Sequence, residues 1–136
     1  MSMALALLFG LVLAGACFHA FQHGGKDEKQ VAAALVAASL VTPLAQAFSF
    51  SSAEYGILVV DAILLLFLLF VSLTSARWWP MVATGFQLAA IETHLAAASI
   101  QVAPLAYADL AVFWSYLVIA ALFFGTMAEA ARSAKG

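Results

Sequence analysis

Five long apolar stretches, separated by short polar gaps, constrain this chain more than any other feature of its sequence. Lys26 and Lys29 fall in the first gap, Arg77 in the third, and Arg132 and Lys135 at the C-terminal end, whereas two acids, Asp61 and Glu92, fall inside apolar stretches. With 66% hydrophobic and 9% charged residues and a mean hydropathy of +1.08, the chain has too little polar surface to cover a soluble globule of 136 residues. The composition therefore predicts an all-α integral membrane protein forming one domain over residues 1–136. A net charge of −2 argues against nucleic acid as a partner, because nothing here neutralises a run of phosphates. The single cysteine, Cys17, has no second thiol for an internal disulfide.

The interruptions predict helices over about residues 3–21, 31–48, 54–75, 79–100 and 107–132. Each is roughly 18 to 26 residues long, against the ~20 needed to cross ~30 Å of hydrocarbon. The His23-Gly24-Gly25-Lys26-Asp27-Glu28-Lys29 segment reads as the first loop, its two glycines breaking the helix. If all five stretches cross, every lysine and arginine lies on one side, which predicts an outside N-terminus and a cytoplasmic C-terminus. The alternative is four spans with 79–100 lying in the interface, since Gln87, Glu92, Thr93 and His94 make it the least apolar stretch. Trp78, Trp79 and Tyr107 then read as headgroup-level aromatic residues at segment ends. The first stretch lacks a positive n-region and carries a poor lipobox before Cys17, so it reads as a retained helix.

Placed by depth, the polar residues concentrate in the outer half of the bundle: Gln46, Asp61, Glu92, Thr93, His94, Asp109, Ser115 and Tyr116. A carboxylate in hydrocarbon costs ~3 kcal/mol or more and must be neutralised or find a partner. Asp61 and Glu92 are therefore expected to face the interior, one of them meeting a partner from helix five or two. Asp61, Glu92, Thr93 and Asp109 are candidates for a proton-linked or ligand-linked site, against the plainer reading of buried hydrogen bonds that hold helices in register. Glu92 and His94 lie about 200° apart on a helix, so they address different neighbours. Gln87, His94 and Gln101 share one face; Gly85, Glu92 and Ser99 share another. His94 is a candidate ligand for haem, a chlorophyll magnesium or a quinone, against a hydrogen-bonded core histidine. His19 and His23, at i and i+4, have a spacing compatible with a metal, against headgroup-level histidines. Ala6, Gly10 and Ala14, with Ala33 and Ala37 or Ala34 and Ala38, follow the small-xxx-small spacing and predict a tight hairpin of the first two helices. The stretch from Leu64 to Phe70, bulky on every face, predicts contact with lipid or another subunit.

Arg77-Trp78-Trp79-Pro80, Gly85-Phe86-Gln87-Leu88, Thr93-His94-Leu95, Ala106-Tyr107-Ala108 and Trp114-Ser115-Tyr116 give the chain, over residues 77–120, a motif-level resemblance. It resembles a group of small uncharacterised multi-span membrane proteins of alphaproteobacteria. The resemblance implies a multi-pass protein of the bacterial inner membrane and groups Gln87, Thr93, His94, Tyr107, Trp114 and Tyr116 as a cofactor-binding or ligand site; it implies no activity and names no cofactor. Phosphate loops, His-Glu-x-x-His, Cys-x-x-Cys and nucleophile-elbow signatures are absent from the sequence. The expectation is a non-catalytic accessory or assembly subunit of a larger inner-membrane complex, its partners the lipid bilayer and other membrane subunits or copies of itself. The alternatives are a proton-linked small-solute transporter using Asp61 and Glu92, and a pigment, haem or quinone binder through His94.

Overall fold

The computed structural model describes residues 3–48, 53–99 and 104–135, and among them the side chains other than those of 45–48, 53–55, 97–99, 104–109 and 111. Five helices follow one another: α1 (Met3–His23), α2 (Lys26–Phe48), α3 (Ala53–Thr74), α4 (Trp79–Ser99) and α5 (Pro104–Lys135). Among the described residues, three helical segments, α1, the Gly56–Thr74 part of α3 and the Val112–Lys135 part of α5, are long and apolar enough to cross a membrane. The first turn of α2 carries Lys26, Asp27, Glu28 and Lys29, and α4 carries Gln87, Glu92 and His94, which lowers the apolarity of these two helices.

The helices form a ring. Each packs against its neighbours in sequence, α5 closes the ring on α1, and a further contact between α2 and α5 crosses the middle. One stripe of each helix supplies the core, at spacings of three and four residues: Leu13, Ala16, Cys17 and Ala20 on α1; Val31, Ala32 and Leu35 on α2; Leu64, Leu68 and Val71 on α3. On α4 the buried stripe is Trp79, Ala83, Gln87, Ala90 and His94, an apolar row with polar members at intervals. Val118, Ile119, Ala121, Leu122 and Thr126 complete the core from α5.

Two sequence expectations need correction here. First, α2 begins at Lys26, five residues before the predicted start, so the charge run belongs to the helix and only Gly24 and Gly25 link α1 to α2. Glu28 makes this start possible: its Oε2 accepts from the Gly25 N–H at 3.0 Å, the reach-back of a capping box, and Asp27 and Glu28 complement the helix dipole. Among the described residues no glycine has positive φ, so the Gly24-Gly25 turn uses glycine for space and not for a left-handed backbone. A Cβ on Gly24 would lie 2.5 Å from both the Ala20 carbonyl oxygen and Glu28 Cβ. Second, the close approach of α1 and α2 does not use Ala6, Gly10 and Ala14, which are exposed. Ala16 and Ala20 take that role, beside Cys17, whose Sγ lies 3.6 Å from the Ala32 carbonyl oxygen of α2. Along α3, Leu64 and Leu68 are buried, while Ile63, Leu66, Leu69, Phe70 and Leu73 give it the exposed apolar surface that its bulk predicts.

Candidate functional site

Asp61 stands eight residues into α3, and His94 stands five residues before the end of the antiparallel α4, so at 1.5 Å per residue both reach a similar depth. They meet: His94 Nε2 lies 2.8 Å from Asp61 Oδ2, with the two side chains 6% and 23% exposed. Seven residues, two turns, before His94 on the same stripe, Gln87 Nε2 donates to the Asp61 backbone carbonyl at 3.1 Å. Two groups of α4 thus hold Asp61, one by its carboxylate and one by its main chain. An ionised Asp61 accepts from the imidazole N–H, and the pair joins α3 to α4 where both helices are otherwise apolar.

The α4–α5 seam has its own polar link. Trp114 Nε1 donates to Thr93 Oγ1 at 3.0 Å, and Thr93 in turn donates to the Ala89 carbonyl at 2.9 Å. The Trp114 indole stacks on Phe86, ring centroids 6.4 Å apart. Tyr116, two residues on and therefore turned away, meets Phe9 of α1 edge-on at 5.4 Å.

The predicted site residues therefore divide. Asp61, Gln87 and His94 form one node, and Thr93 with Trp114 forms a second seam beside it. Tyr116 belongs to the α1–α5 contact. Glu92 does not face the interior as expected; it is exposed, because the 200° that separates it from His94 puts it outside once His94 is turned in. The partner of Asp61 comes from helix four and not from helix five or two. The side chains of Asp109, Tyr107 and Gln46 lie outside the described residues.

The His19 and His23 rings lie tilted to each other with centroids 5.0 Å apart, and His19 also meets Phe123 at 5.1 Å. His19 Nε2 is buried with no hydrogen-bond partner among the described residues, while His23 is exposed. No group of three or more histidine, cysteine, aspartate or glutamate side chains is arranged to hold a metal among the described residues. For His94, ligation of a cofactor metal through Nε2 would require breaking the bond to Asp61.

A second polar node, at the other end of α4, was not read from the sequence. Glu28 is 1% exposed, and its Oε1 accepts from Trp79 Nε1 at 2.9 Å and from Arg77 Nη1 at 3.5 Å. The same guanidinium pairs with Glu129 of α5, and its Nη2 lies 3.4 Å from the Gly125 carbonyl oxygen. Arg132 Nη2 adds a 2.9 Å bond to Glu129, and Ser75 Oγ donates to Asp27 Oδ2 at 2.5 Å. The node thus gathers the α1–α2 turn, the α3–α4 turn and the late part of α5 at one end of the bundle. Trp79, expected at a headgroup boundary, is instead fully buried, its indole N–H satisfied by Glu28 and its ring lying flat where Gly125 offers no side chain. Trp78 is the exposed member of the pair. The signals that pointed here were Glu28 at the third helical position after a glycine turn, and Glu129 seven residues after Leu122 near the end of a basic-tailed helix; neither specifies a long-range partner.

No protein-family model, no characterised protein and no solved structure matches the chain.

Proposed function

We propose that this protein is a small, non-catalytic, multi-pass membrane subunit that crosses the bacterial inner membrane five times, N-terminus outside, and serves the assembly or stability of a larger complex. One observation carries the reading: Asp61 and His94, two ionisable groups turned inward on facing helices, are bonded to each other. Intramembrane groups paired in this way hold helices in register. The five-span placement is supported by length, since α2 and α4, of 23 and 21 residues, extend ~35 and ~32 Å. It is further supported by the gathering of Arg77 with Glu28 and Glu129 at one end, as an up-down ring requires. The bacterial location rests on the resemblance of residues 77–120 to alphaproteobacterial membrane proteins. Native mass measurement after extraction in mild detergent tests the function: a complex heavier than the 14.3 kDa chain is expected, and a lone monomer under conditions that preserve other inner-membrane complexes sinks the reading.

A proton-linked carrier is the second reading, favoured by the partial exposure of the Asp61 carboxylate beside an imidazole. It is distinguished by proton-coupled flux in vesicles that Asp61→Asn abolishes while assembly persists. Glu92, exposed on the outside of the bundle, would join such a pathway only in an oligomer. A pigment, haem or quinone site at His94 would have to work beside the Nε2–Asp61 bond, a carboxylate–imidazole pairing that ligating histidines also make.

A further inference from the structure

The outward face of α4 carries a charged group without a partner among the described residues. Met81, Gly85, Leu88, Glu92 and Leu95 recur at helical spacings of three and four, and all are exposed. Glu92 makes no hydrogen bond or ion pair among the described residues. A Cβ added to Gly85 would meet nothing within 4 Å, so the backbone there is open to close approach.

We propose that this face is the docking surface for a transmembrane helix of a partner protein that carries a lysine or arginine at the depth of Glu92. The proposal rests on the reading above, in which α4 crosses the bilayer within a larger complex, and it names the chemistry of the partner. A carboxylate turned toward hydrocarbon is expensive, and in membrane proteins such groups face a partner or a water-filled cavity. Leu88 and Leu95 flank Glu92 by one turn on either side, which supplies an apolar seam around a single charge. Gly85, two turns from Glu92, permits the backbone approach that helix pairs in lipid use.

A second copy of this chain does not supply the counter-charge. Lys26, Lys29, Arg77, Arg132 and Lys135 are its basic residues, and Arg77, two residues before α4, lies roughly 20 Å along the axis from Glu92. A two-fold pairing through this face in the same orientation brings Glu92 toward Glu92, like charge against like. Charge complementarity therefore selects a different chain.

The test reconstitutes the full-length protein in phosphatidylcholine–phosphatidylglycerol vesicles with a synthetic helix of about 20 leucine and alanine residues bearing one central lysine, or leucine in its place, and one cysteine a turn away from that position. Association is read by energy transfer, and its location by copper-phenanthroline oxidation of the peptide thiol with that of Leu88→Cys on α4 or Leu66→Cys on the exposed face of α3. The lysine helix is expected to bind at least about five-fold more tightly than the leucine helix and to crosslink at position 88 and not 66. Glu92→Gln is expected to remove the preference. Equal binding of the two helices, a preference that survives Glu92→Gln, or Leu88→Cys homodimers in place of peptide adducts overturns the proposal. A native complex whose mass Glu92→Gln leaves unchanged overturns this interface while the subunit reading stands; a monomeric native mass with no lysine preference removes both.

Discussion

Residues on one helix turn out to have opposite fates when they differ by two positions. His94 and Glu92 are both polar and both in the middle of an apolar stretch, yet one is buried against Asp61 and the other is exposed. Removing the imidazole by His94→Ala leaves the Asp61 carboxylate without its partner and is expected to cost about 2 kcal/mol of stability. Asp61→Asn keeps an acceptor for the same imidazole and is expected to cost less than about 1 kcal/mol. Unfolding titrations in mixed detergent compare the two, and equal losses would mean that the pair is not the feature that matters. Trp79 and Gly125 give a second contrast at this scale. A Cβ on Gly125 would lie within 2.6 Å of three indole atoms of a fully buried ring, so Gly125→Ala is expected to lower stability by about 1–3 kcal/mol. Gly10→Ala, facing open space, is expected to be neutral or slightly stabilising in the same titration. The angular opposition of Glu92 and His94 was legible in the sequence because helix geometry alone dictates it. Which of the two turned inward was not, because both inward choices place a polar group in the core and only the presence of Asp61 on the facing helix separates them.

At the scale of elements, α2 and α4 do more than fill gaps between apolar helices. The first turn of α2 is drawn into the helix because Glu28 caps it, and the same carboxylate then accepts from Trp79 and Arg77. Replacing Arg77 by glutamine leaves Glu28 and Glu129 facing each other without their shared cation, and a loss of about 3–5 kcal/mol is expected. Glu129→Gln removes one of the two carboxylates and is expected to cost less, since Arg77 retains Glu28; a loss as large as that of Arg77→Gln would contradict the shared-cation description. Helix lengths and the identities of the interruptions were readable from the pattern of apolar runs, to within a few residues except at the start of α2. That start was missed because charged residues after a double glycine carry the same signal whether they are solvated in a loop or held by a cap and a distant arginine.

Across the whole molecule, the ring of helices is tied at one end by the Glu28–Arg77–Glu129 node and at mid-height by Asp61–His94, with the buried stripe of α4 running between them. Cys17, buried between α1 and α2 two turns from the node, is a native reporter of that closure. It is expected to resist alkylation by maleimides in the folded protein and to react at least about ten-fold faster after Arg77→Gln, as local opening exposes the α1–α2 seam. Mass spectrometry of the alkylated protein follows this, and an unchanged rate would place the node outside the closure. Composition and spacing by themselves determined that the chain is an apolar helical protein with five segments, because helical periodicity and the solvation cost of charge are local properties of a chain. Only the tertiary structure decided that Asp61 meets His94, that Glu28 and Glu129 share Arg77, and that Glu92 faces out, because partner choice depends on the relative rotation of packed helices, and no stretch of sequence contains that rotation.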